Sequence, residues 1–113
     1  GKAGEAGGPG RRYDAEAYAF VLGATERAVV ERHGDVTARE LLETLRDVAL
    51  ERFGPMAKRV LEQWGVGGTG DVGRVVYDLI EAGLLSENEG DSIEDFRDVF
   101  DFEQELERRY FEE

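Results

Sequence analysis

Four glycines, Gly34, Gly54, Gly65 and Gly83, each close an apolar run of helical period, and this punctuation limits the fold more than any other feature. Glycine takes the left-handed conformation that ends a helix without steric penalty. Runs closed in this way read as amphipathic helices packed on one another, with little room for a sheet.

The runs can be followed in order. Asp14 caps the first, and Ala17, Val21, Ala24 and Ala28 form its stripe, flanked by Tyr18 and Phe20. Gly34 is the expected left-handed stop. Thr37 and Glu40 match a capping box, and Leu41, Leu42, Leu45, Val48, Ala49 and Phe53 follow as a broad apolar face. Pro55, after Gly54, suits the first turn of a third helix, in which Ala57, Val60, Leu61 and Trp64 share one side. Thr69 is the expected cap of a fourth helix, with Asp71 near its positive end. There Val72, Val75, Val76, Leu79 and Ile80 face inward, Gly83 ends the run, and Leu84 stands where a Schellman stop places an apolar contact. Leu41, Leu45, Val48, Val60, Leu61, Trp64, Val76, Leu79 and Ile80 are the expected core.

The last stretch supports two readings. Ser92 can cap a helix bearing Ile93, Phe96 and Phe100, followed by another bearing Phe102, Leu106 and Tyr110. Alternatively, Phe100 and Phe102 alternate with acids at period two, which suits a small β-hairpin between residues 84 and 102. The expected fold is therefore mainly α: a single-domain helical bundle over residues 13–113, winged-helix-like if the hairpin forms. Residues 1–12 hold five glycines among small and charged residues and read as a flexible tail.

Composition removes several functions. With 113 residues the chain has the size of one domain, and with no cysteine it has no disulfide, catalytic thiol or thiolate-bound metal. No apolar run approaches the ~20 residues that span a bilayer, and no secretory pattern is visible, so a cytoplasmic location and no membrane partner are expected. The 26 acids outnumber the 14 bases, for a net charge of −12. Residues 86–113 alone carry −9, which repels a nucleic-acid partner. Lysine occurs only at Lys2 and Lys58. That balance suits a protein working in concentrated salt; acidic solubility with a bias toward arginine codons explains it equally well.

Gly68, Gly70 and Gly73 spell G-x-G-x-x-G before a helix. A dinucleotide site needs a strand entering that loop, and the entering segment here reads as a helix ending at Trp64. The glycines are therefore expected to be turns between helices. His33, the only histidine, has no nearby nucleophile in sequence and suits the last turn of its helix. Asp91, Asp95, Asp98 and Asp101 recur at helical spacing, which suggests a solvated acidic face before it suggests a cation site. The arginines are scattered among acids and read as surface pairs. Phe102, Leu106, Tyr110 and Phe111 would form an exposed stripe if the last helix stood away from the bundle, and with Asp95 and Asp98 they are the candidate partner surface. No catalytic, cofactor-binding or metal-ligating residue is assigned, and no cofactor is expected.

The segments "YDAEAYAFV", "ELLETLRDVALERFGPMAKRVLEQWGV", "DVGRVVYDLIEAGLL" and "DSIEDFRDVFDFE" resemble a family of short uncharacterised bacterial proteins described mainly from Verrucomicrobia and Planctomycetes. The resemblance covers about Tyr13 to Phe111 and implies that the glycine-rich start lies outside the domain. It implies no activity. The expected function is a non-enzymatic protein–protein interaction module with an acidic C-terminal region. The alternatives are a winged-helix-like nucleic-acid binder, for which the fourth helix offers only Arg74 among Asp71, Asp78 and Glu81, and an enzyme using carboxylates with a divalent metal.

Overall fold

The computed structural model describes residues 13–87 and 92–108. The expected tail at residues 1–12 lies outside them. The described chain is helical, with four α-helices and no strand.

α1 spans Ala15–Arg32. The Asp14 carboxylate accepts the Glu16 amide at 2.9 Å, satisfying one orphan donor of the first turn. Ala17, Phe20, Val21, Ala24 and Ala28 are buried, and the three alanines let neighbouring helices approach closely. The left-handed stop is His33, with φ 61°, rather than Gly34, which follows at φ 134°. The exposed imidazole thus stands just past the helix, one residue beyond the expected last turn.

α2 spans Ala38–Phe53 and opens on the expected capping box: Glu40 N donates to Thr37 Oγ1 at 3.1 Å, and Thr37 N donates to Glu40 Oε1 at 3.0 Å. It runs antiparallel to α1, as two charge contacts toward opposite ends of α2 show. Arg27 donates to both Glu51 oxygens at 2.9 and 3.0 Å, while Arg32 lies 3.6 Å from Glu40 and 3.7 Å from Glu43. Arg27 holds the Glu51 carboxyl below its ordinary range. Leu41, Leu42, Leu45, Val48 and Ala49 form the buried face.

Gly54 (φ 54°) and Pro55 turn the chain through a 3₁₀ turn into α3, Ala57–Gln63. Ala57 and Leu61 are buried, whereas Val60 and Trp64, expected in the core, are half-buried. Trp64 closes an aromatic triangle with Phe20 and Phe53, whose centroids lie 5.6 to 5.7 Å apart. The Arg52 guanidinium caps this triangle, 5.7 Å from the Phe20 ring and 5.5 Å from that of Phe53. The indole therefore sits at a guarded edge of the core.

α4 spans Thr69–Glu81 and runs parallel to α1. Tyr13 reaches Asp71 near the start of α4, and Tyr18 reaches Asp78 one to two turns on, at 2.8 and 2.7 Å. Leu84 N donates to Leu79 O at 2.9 Å around Gly83 (φ 83°), but Leu84 is 59% exposed. Leu85 makes the apolar contact expected of Leu84, because the turn carries the chain one residue further before it folds back on the core.

Among the described residues the hairpin expected between residues 84 and 102 is not formed. Ser92 and Asp95 make a capping box on a 3₁₀ turn, Ile93–Phe96, and the chain then passes as a strap of turns and bends into a π-helical segment, Glu103–Arg108. The amide of Val99, which a hairpin would pair with another strand, instead donates to the Thr69 hydroxyl at 3.0 Å. The bundle therefore lacks a wing among the described residues.

Candidate docking surface

The glycine loop before α4 is built around a carboxylate. Asp71 Oδ2 accepts the Gly67 amide at 2.9 Å while Oδ1 accepts the Tyr13 hydroxyl at 2.8 Å. The positive end of α4 thus carries a negative group of the chain itself, where a bound phosphate would need to sit. Burial, and then the bond to Asp71, push the Tyr13 phenol up to about 12.

The three motif glycines have different roles. Gly68 is the cap residue, in extended conformation, and Gly70 faces open space. Gly73 lies inside α4, where a Cβ would fall 2.6 Å from Phe96 Cβ. The expectation that all are turns therefore needs correction: Gly73 is a contact surface. Thr69 is also not the cap. It is the first residue of α4, buried, with its hydroxyl donating to Phe96 O at 2.6 Å and accepting from Val99 N.

The candidate stripe is divided. Phe102 and Leu106 are 3% and 1% exposed and belong to the core, because the last segment lies along the bundle, tied by Arg46 to Glu105 at 3.1 Å. The free stripe expected for these two is thus not present. Tyr110 and Phe111 lie outside the described residues. Asp95 and Asp98 are exposed; Asp95 accepts the Ser92 amide at 3.1 Å, and Asp98 sits in a left-handed turn at φ 51°. Asp91 is outside the described residues, and among those described no three carboxylate or imidazole groups converge as metal ligands. On α4, Asp71 and Asp78 are bound by tyrosines, which leaves Arg74 and Glu81 as exposed charges flanking them.

The described residues also form a concave apolar surface. It is a groove of about 320 Å³ where the C-terminal end of α1, the start of α2 and the C-terminal half of α4 meet. Val29, Val36, Ile80 and Leu85 form walls, with Tyr77 and Phe96 at its side. Asp35 and Glu87 stand in the lining, which contains no lysine or arginine among the described residues. Val29 is 43% exposed. Sequence reasoning missed this surface, since its walls come from positions as far apart as Val29 and Leu85. The one local signal was Val29, an apolar residue off the buried stripe of α1.

No helix among the described residues is long and apolar enough to cross a membrane. No family model, curated protein or solved structure matches the chain.

Proposed function

We propose that this chain is a non-enzymatic, cytoplasmic protein-interaction module that engages its partner through the groove between α1, α2 and α4. The observation that carries the reading is the groove itself: apolar walls, open to solvent, in a domain whose other large side chains are mostly packed inside. Phe102 and Leu106 are not available for this role, since they support the C-terminal segment against the bundle. The bacterial family resemblance supplies no activity to set against it.

The test uses two neighbouring valines. Val29 lines the groove, while Val30, 72% exposed, does not. Successive helix positions point about 100° apart, so the two side chains face different partners. Crosslinked partners captured from a native extract by the unaltered chain should be lost with Val29→Glu and retained with Val30→Glu. Equal capture by both variants would remove the groove from this role.

A further inference from the structure

The groove also indicates what fills it, and we infer that its occupant is a basic amphipathic helix of a partner protein, seated with an apolar side chain between Val29 and Ile80 and its Lys or Arg residues against Asp35 and Glu87. This rests on the reading of the chain as an interaction module. A helix laid in an apolar groove is a recurring recognition mode, with anchors spaced three or four residues apart. The walls supply the apolar half of such a site.

The charge supplies the other half. Asp35 and Glu87 have no ion-pair partner among the described residues. The arginines nearest in sequence to Asp35 are turned elsewhere: Arg32 to Glu40 and Glu43, and Arg39 to Glu43 at 3.9 Å. An occupant bringing positive charge is attracted, and one bringing negative charge is repelled.

The chain's own segments do not meet this requirement. Residues 1–12 are positive but hold no apolar side chain larger than proline, and they join the domain at Tyr13, which is tied to Asp71 at the other end of α4. Residues 109–113 hold Tyr110 and Phe111 but carry Glu112 and Glu113 against Arg109 alone. A second copy would bring a net charge of −12 against another −12 and set Asp35 and Glu87 against an equally acidic surface.

The experiment titrates the ¹⁵N-labelled full chain with three synthetic peptides: a Leu/Lys helix of amphipathic period, a scrambled Leu/Lys peptide of the same composition, and a Leu/Glu amphipathic helix. The Leu/Lys helix is expected to shift the amides of Val29, Val36, Ile80 and Leu85. Val29→Glu should weaken it at least tenfold, as should Leu85→Ser, also in the lining. Asp35→Asn and Glu87→Gln should each weaken it about two- to fivefold. Far-UV circular dichroism of each variant checks that the helices persist. Equal binding of the scrambled peptide, shifts centred on residues 92–107, or no binding by the Leu/Lys helix would overturn the inference. Equal binding of the Leu/Glu helix in the groove would overturn the basic occupant alone; the module reading falls only when Val29→Glu and Val30→Glu capture the same partners.

Discussion

Gly73 and Phe96 pack so closely that a Cβ on the glycine would stand 2.6 Å from Cβ and 2.8 Å from Cγ of the phenylalanine. This approach lets the segment after Ser92 lie directly on α4, where the Phe96 ring meets Tyr77 edge-on at 6.5 Å. Alanine at position 73 gains helix propensity but forces the strap away. Gly73→Ala should therefore cost about 1–3 kcal/mol. Gly70→Ala, where nothing lies within 4 Å, should be neutral or stabilising by up to ~1 kcal/mol. Urea unfolding of both compares them directly, and a Gly73→Ala chain as stable as the parent would contradict the contact.

Thr69 fastens the same strap by its hydroxyl. Thr69→Val keeps the shape but leaves Phe96 O and Val99 N without their partner, at a cost of about 2–4 kcal/mol. Thr69→Ser keeps the hydroxyl and should lose only about 1 kcal/mol with the methyl. Equal destabilisation by the two would mean that the methyl, not the hydrogen bonds, holds the strap.

These two residues show where the sequence was readable. The Thr37–Glu40 box and the Ser92 cap could be found because their partners lie within one turn; that Asp95 completes a box with Ser92 is added by the structure. The helices were found for the same reason: their apolar period is local. Thr69 looks like a cap by every local criterion, and its real partners are 27 and 30 residues away. Phe100 and Phe102 alternate as strand residues do, but the backbone between Asp98 and Asp101 turns and bends, held by a hydrogen bond to a side chain. The groove was invisible because it is made by the ends of three helices, and no single segment carries its pattern.

Tyr13 links folding to alkaline pH. Its phenol is raised from 10.0 to about 12 in the folded chain, mainly by burial and then by Asp71. Between those values the unfolded chain loses this proton and the folded chain keeps it. The contribution of Tyr13 to stability is thus complete below about pH 10 and declines as pH rises toward 12. Absorbance titration at 295 nm should show a phenol ionising well above the ordinary range, and Tyr13→Phe should abolish that late step. Its persistence in Tyr13→Phe would assign it to another tyrosine.

Leu106 tests whether the last segment belongs to the domain. It is 1% exposed, and the half-buried Arg46–Glu105 pair beside it fixes the segment on α2. Leu106→Ala should cost about 2–5 kcal/mol, as much as Leu45→Ala in the middle of α2. A loss below ~1 kcal/mol would mean the segment leaves the bundle without unfolding it, and the candidate stripe would again be a free surface.

Salt sets two electrostatic effects against each other. The ion pairs between Arg27 and Glu51, Arg27 and Glu31, and Lys58 and Glu62 are exposed or half-exposed, and each is weakened by screening. Against them stands the repulsion of a chain with net charge −12, concentrated where residues 86–113 carry twelve acids and three arginines. Pairs of this kind contribute a few tenths of a kcal/mol each, whereas repulsion acts between every unpaired carboxylate within a Debye length. Screening should therefore relieve more than it removes, and Tm should rise from low salt to molar KCl. A Tm that stays level or falls would show that the surface pairs outweigh the repulsion, and the lysine-poor acidity would then reflect codon bias and solubility rather than adaptation to concentrated salt.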